Sequence, residues 1–182
     1  MPEELGDKEL LELFRIADSR QYAFNLLIRK YQKKVYWPVR RLVIGHDDAD
    51  DVTQDTFVKV WKNLDGFKQE AQLFTWIYRI ATNEALSFLR KKRNRFFLPL
   101  VNVENKLART LTDDSFFTGD QIQLKFQKAI LKLPEKQRLV FNMKYYDELK
   151  YEEMSEVTGT SVGALKASDH LAVKKIKKYL SE

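Results

Sequence analysis

Residues 151–180 read YEEMSEVTGTSVGALKASDHLAVKKIKKYL, and their punctuation decides the fold of the carboxyl-terminal third of the chain. A short helix is expected over residues 151–157. Thr158-Gly159 makes a turn, and Thr160 or Ser161 can cap a longer helix running to Leu180. A short helix, a turn containing Gly and a longer basic helix form a helix-turn-helix unit. The long helix offers Ser161, Lys166, Ser168 and His170 near its amino end, where free N–H groups also favour phosphate. Lys174, Lys175, Lys177 and Lys178 crowd its far end.

Upstream of this unit the same 3.6-residue periodicity recurs. Ile122, Phe126, Ala129, Ile130 and Leu133 share one face of a helix that begins near Asp120. Pro134 suits the first position of the next helix, which runs to about Tyr146. In the amino-terminal half, helices are expected over residues 9–16, 22–43, 49–64 and 73–92, with Pro38 kinking the second. Residues 96–119, FFLPLVNVENKLARTLTDDSFFTG, carry no settled period and read as an interdomain linker. Sustained apolar–polar alternation is absent, and the chain has only six Gly and four Pro. The expectation is an all-α protein of two small helical domains, residues 1–95 and 120–182, the second a helix-turn-helix domain.

With 182 residues, 44% of them apolar and 32% charged, there is enough material for packed cores and a well-solvated surface. Apolar runs fall short of the roughly 20 residues that cross a bilayer, so no membrane insertion is expected. The amino terminus, MPEELGDKELLELF, lacks a secretory pattern. Without Cys, disulfides and thiolate metal sites are excluded, and with two His a His-rich metal site is not expected. These features fit a cytoplasmic protein. Gly-rich phosphate loops, HExxH and calcium-loop spacing are also missing, so neither a cofactor nor enzymatic activity is expected.

The formal charge of +6 and a pI near 9.3 favour an anionic partner. Charge is also segregated. Residues 46–56, HDDADDVTQDT, hold five Asp and no Lys or Arg, whereas residues 90–95, RKKRNR, are almost wholly basic. Such separation suits two different kinds of surface. At 100° per residue Asp51, Gln54, Asp55 and Val58 fall on one side of the third helix, opposite Phe57, Val60, Trp61 and Leu64. An acidic outward face on a basic protein is a docking site for a basic partner or simply a solvated face. On the fourth helix Leu73, Trp76, Ile77, Ile80 and Ala81 form the apolar stripe. Arg79, Asn83 and Arg90 line another flank, with Thr75 and Ser87 beside it. Phe67, Phe74, Trp76 and Tyr78 interleave with these cations, which suits single-stranded nucleic acid; Trp76 fits the core equally well.

Several spaced motifs together resemble extracytoplasmic-function sigma factors of bacterial RNA polymerase. The first domain carries DDVTQDTFVKVW at residues 50–61 and FTWIYRIATN at 74–83. The second carries Leu133-Pro134, Arg138-Leu-Val-Phe141, YEEMSEV at 151–157 and SVGALK at 161–166. The resemblance implies that Asp51, Gln54 and Asp55 grip the clamp helices of the largest subunit of core RNA polymerase. It implies that Phe74, Trp76, Arg79, Asn83, Arg90 and Lys91 meet the non-template strand of the −10 element, with Asn83 near a flipped base. It implies that the final helix, through Ser161, Lys166, Ser168 and His170, reads the −35 element. Promoter DNA is thus a partner, and an anti-sigma protein commonly holds such factors inactive. The chain departs from the family pattern in three places. Ala164, Ala167 and Ser168 replace Thr, Ser and Arg, Asp169 stands where an apolar residue is usual, and Pro38 interrupts a usually continuous helix. A helix-turn-helix regulator whose first domain senses a ligand or dimerises is the rival reading; a helical nucleic-acid enzyme or its subunit is another.

Overall fold

The computed structural model describes residues 5–68, 70–95, 109 and 121–181, so the expected linker, apart from Arg109, lies outside the described residues. Among the described residues there are eight α-helices and no strand: α1 (Asp7–Arg15), α2 (Arg20–Val43), α3 (His46–Asn63), α4 (Leu73–Arg95), α5 (Gln121–Leu131), α6 (Glu135–Tyr145), α7 (Tyr151–Thr158) and α8 (Val162–Ser181). The chain is all-α. None of these helices is long and apolar enough to cross a membrane.

The helices α1 to α4 bury one face each. Leu11 and Phe14 of α1 share a core with Phe24, Leu27, Tyr31 and Val35 of α2, and α3 adds Val52, Phe57 and Val60. Leu73, Ile77, Ala81, Ala85 and Leu89 of α4, spaced by three or four residues, complete the core. The third helix begins three residues earlier than its periodicity suggests. Gly45, extended at φ −67°, ends the preceding turn, and Asp47 and Asp48 lie in the first turn, where carboxylates complement the helix dipole. Helix α2 runs through Pro38, whose side chain is buried. The backbone reverses at Ile44, which takes φ 67° although β-branched residues avoid that region.

In the second group α6 and α7 pack on α8, and α5 closes over its far end. Ala129, Ile130, Leu133, Phe141, Ala172 and Ile176 form a separate apolar cluster there. Pro134 caps α6 rather than entering its first turn. Gly159, at φ 67°, supplies the left-handed residue that ends α7 and makes the helix-turn-helix turn tight. Ser161 then caps α8 by accepting the Ala164 N–H at 3.3 Å.

Asp169, unusual for its position, is buried at 7% exposure and has its own partner. The Tyr151 hydroxyl donates to its Oδ2 at 2.7 Å. That hydrogen bond, more than burial, pushes the Tyr151 phenol up to about 12. Because the folded value lies above the ordinary 10, this stabilisation is complete below pH 10 and is lost as the pH rises toward 12. Tyr151→Phe is expected to cost about 1–2 kcal/mol in chemical unfolding, since it strips a buried carboxylate of its donor. The ultraviolet difference between wild type and variant should then show almost no phenolate signal at pH 10; a signal about half its maximum there, as for a phenol at its ordinary value, would mean that the hydrogen bond does not form.

Candidate nucleic-acid interface

Helix α3 presents its two faces as the periodicity requires. Phe57 and Val60 are buried, whereas Asp51, Gln54, Asp55 and Val58 are exposed. Not every carboxylate of the acidic stretch is available. Asp48 is paired with Lys92 of α4, and Asp50 lies 3.5 Å from His46. Among the described residues Asp51 and Asp55 have no ion-pair partner, so their charge faces outward. Beside them α2 and α3 border an open groove of about 570 Å³, lined by Phe24, Ile28, Gln54, Phe57, Val58 and Trp61 among others. An apolar trough with an acidic rim is suited to a basic, amphipathic helix.

The face of α4 is more divided than its sequence suggests. Phe74 is half-buried and stacks on Tyr31, with ring centroids 5.6 Å apart at 19°. Trp76 is half-buried against Phe67, 5.1 Å away, and Phe67 itself is 8% exposed. One face of each α4 ring is therefore occupied by the protein. Arg79, Asn83, Arg90 and Lys91 are exposed along the helix. Arg90 is steadied by its own helix, donating to the Leu86 carbonyl at 3.3 Å and to Ser87 Oγ at 3.2 Å.

On α8, Lys166 and His170 are exposed, and the Lys166 ammonium sits 5.6 Å from the Tyr151 ring centre. Ser168 is half-buried, and its surroundings are informative. It lines a narrow groove of about 170 Å³ together with Thr160 and Leu165 of the helix-turn-helix unit, and with Thr82, Asn83 and Leu86 of α4. The structure thus brings Asn83 and Ser168, expected on two separate surfaces, to one seam.

That seam is held by residues that periodicity did not single out. Asp147, in the turn between α6 and α7, accepts from Arg41 of α2 and, at 2.6 Å, from the Tyr78 hydroxyl of α4. Tyr78, at 3% exposure, is sealed, and burial first, then Asp147, raises its phenol well above 10. Burial likewise raises the Asp147 carboxyl, against the opposing pull of Arg41. The Arg41 guanidinium also lies over the Tyr146 ring at 5.1 Å. Leu139, Val140, Met143, Met154, Val157 and Leu165 join the apolar core of α1 to α4, so the seam is greasy as well as polar.

Comparison with known proteins agrees with this architecture. The family model for sigma-70 region 2 matches residues 27–95, and that for sigma-70 region 4 matches residues 123–176. The chain is 31% identical over 175 residues to the ECF RNA polymerase sigma-E factor of Escherichia coli strain K12, covering 92% of this chain and 90% of that one. It is 29% identical over 176 residues to the ECF RNA polymerase sigma factor SigW of Bacillus subtilis, covering 92% and 94%. Its fold resembles that of CnrH in complex with the cytosolic domain of CnrY, at a TM-score of 0.68 and 24% identity over 96% of this chain and 98% of that one. It also resembles the sigma factor RpoE in complex with the anti-sigma factor NepR from Bartonella quintana, at a TM-score of 0.64 and 21% identity over 91% and 98%. With both sigma regions in order on an all-α, two-domain frame, the chain belongs to the extracytoplasmic-function RNA polymerase sigma factors, and it directs core polymerase to promoters as an initiation factor rather than an enzyme.

Proposed function

We propose a division of labour among its surfaces, in which α3 engages polymerase, α4 takes the melted −10 strand and α8 reads the −35 duplex. The first domain, residues 1–95, then carries the polymerase and −10 contacts, and the second, residues 120–182, the −35 contacts. The observation that supports this best is the segregation of exposed groups on two adjacent helices. Asp51, Gln54 and Asp55 line one, while Arg79, Asn83, Arg90 and Lys91 line the next. The acidic rim and apolar trough of α2 and α3 suit the clamp helices of the largest polymerase subunit. The cationic flank of α4 suits a single strand, whose phosphates follow the Arg and Lys while Asn83 meets a base edge. Phe74 and Trp76 each have one ring face engaged by the core, so they would meet DNA by their remaining surface. On α8, Ser161 has its hydroxyl at the helix cap, and Lys166, Ser168 and His170 follow over the next turns.

Such a protein works in the cytoplasm, where its polymerase is. An anti-sigma partner is part of the proposal, because a sigma factor of the same fold is known in complex with an anti-sigma factor.

Transcription reconstituted with core polymerase on a library of randomised −10 elements tests the assignment to α4. Asn83→Ala is expected to flatten the preference for bases in the −10 element more than it lowers total binding. Arg90→Ala is expected to weaken all templates alike and to reduce the salt slope by about 1, as loss of one phosphate contact does. An unchanged base preference with Asn83→Ala would remove that residue from readout.

A further inference from the structure

The ring of Phe74 on α4 is backed by a side chain of α2. Tyr31 lies against it with ring centres 5.6 Å apart and planes 19° from parallel, inside the range of favourable offset stacking. The neighbouring rings are not arranged in this way. Trp76 meets Phe67 at 42°, and Tyr78 meets Phe74 at 72°. With Tyr31 on its inner face, Phe74 keeps its outer face parallel to an existing stack. The ring is half-buried, so part of that face is open. A backed, partly open ring is a platform on which an unpaired base can stack.

Lys34, one helical turn after Tyr31, stands beside this pair. Its ammonium is 5.9 Å from each of the two ring centres. A cation over the outer face of Phe74 would be much farther from Tyr31 than from Phe74, because the rings themselves are 5.6 Å apart. Equal distances therefore put the charge at the flank of the stack and leave the outer face free. Lys34 is exposed. A base stacked on Phe74 carries its phosphate at the side, within reach of a flexible four-carbon stem.

Tyr31 itself has little freedom. It is 3% exposed. Its hydroxyl donates to Asp7 Oδ1 of α1 at 2.6 Å, and the same oxygen accepts from Lys30 at 2.8 Å. Lys30 also donates to the Leu5 carbonyl at 3.1 Å. Burial first, then the Asp7 hydrogen bond, holds the Tyr31 phenol well above its ordinary value, so it stays a donor throughout the neutral range. A line of contact thus runs from the first turn of α1 through Tyr31 to the ring on α4.

We propose that Tyr31 and Lys34 of α2 complete a site for one unpaired nucleotide of the melted strand, in which the base stacks on Phe74, Lys34 holds the adjoining phosphate, and Asp7 positions the platform through Tyr31. This deepens the −10 role proposed for α4 and rests on it.

The test uses holoenzyme reconstituted with core polymerase. It is titrated with a fluorescent single strand carrying the selected −10 element, with each position in turn made abasic and each phosphate in turn a neutral methylphosphonate. One abasic substitution should cost wild type about 10-fold in affinity, the worth of one base–ring stack, and cost Phe74→Leu nothing further. Lys34→Ala should become insensitive to one methylphosphonate, the one adjoining that base, and its salt slope should fall by about 0.7. Lys33→Ala, at an exposed neighbour, should change neither. Tyr31→Phe keeps the ring but releases it from Asp7, and should shrink the abasic penalty at that position alone. A loss spread evenly over all positions would make Tyr31 a core residue only. The site is overturned if Phe74→Leu remains as sensitive as wild type to every abasic position, or if the phosphate coupled to Lys34 does not adjoin the stacked base. Asn83→Ala reports on the α4 assignment separately. A flattened base preference there, with no coupling at Phe74, removes this site and leaves that assignment standing; no response at either residue removes both.

Discussion

Replacing Asp51 and Asp55 together by Lys is expected to weaken association with core polymerase by about 3–4 kcal/mol, roughly 10²–10³-fold in affinity. Both carboxylates are exposed on α3, and among the described residues neither has an ion-pair partner, so reversing them breaks nothing within the fold. Against a basic helix the change counts twice, by removing attraction and by adding repulsion. The apolar side of the same helix, with Phe57 at 6% and Val60 at 0% exposure, stays in the core. Far-ultraviolet circular dichroism and the unfolding midpoint should therefore match wild type. Affinity is to be measured by fluorescence anisotropy of labelled chain titrated with core enzyme at two salt concentrations, because a steered, charge-based contact weakens with ionic strength. The control is Glu12→Lys with Asp18→Lys, which changes net charge equally at exposed sites elsewhere. If both doubles lose the same affinity, the effect is net charge and the α3 face is not the docking surface.

Phe14→Ala is expected to lower stability by about 3–5 kcal/mol, the cost of emptying a well-packed aromatic site. Phe14 is 2% exposed. Its ring meets Trp61 edge-on at 5.2 Å and Phe24 at 6.1 Å, and Trp61 in turn meets Phe24 at 4.9 Å. The Arg20 guanidinium covers Phe14 at 4.2 Å from its centre while forming a two-pronged pair with Asp65, at 3.2 and 2.5 Å. The cluster ties α1, α2 and α3 together behind the face that carries Asp51 and Asp55. Neighbouring side chains are held on three helices and can collapse only partly into the gap, so most of the cavity cost persists. Urea unfolding followed by Trp fluorescence is the measurement, since Trp61 reports on the site directly. Phe14→Leu, which retains much of the volume, should cost clearly less. A loss under about 1 kcal/mol for Phe14→Ala would mean that α1 is not part of this core.

The sequence alone determined which face of α3 and, in the main, of α4 turns inward, but not of every helix: Ile122, read into the apolar face of α5, is 77% exposed. On α3 and α4 the apolar residues recur every three or four positions, so the split between Asp51, Gln54 and Asp55 on one side and Phe57 and Val60 on the other follows from 3.6 residues per turn. The helix-turn-helix order was equally legible, because Gly159 and Ser161 are local signals that act within a few residues. Helix ends were less so: α3 starts at His46 and α4 continues to Arg95 because dipole and charge effects at the termini extend helices past their apolar stripe. Phe67 illustrates a further gap. Beside cations in sequence it reads as a stacking platform, yet it belongs to the core.

Only the tertiary structure decided how the helices pair across the chain. Asp147 finds Arg41 and Tyr78 over separations of 106 and 69 residues. Asp169, out of place in a family comparison, accepts on Oδ2 from the hydroxyl of Tyr151, 18 residues away. Periodicity reports the direction of a side chain relative to its own helix axis. A partner is chosen instead by where two axes cross, and that depends on the packing of every helix between them.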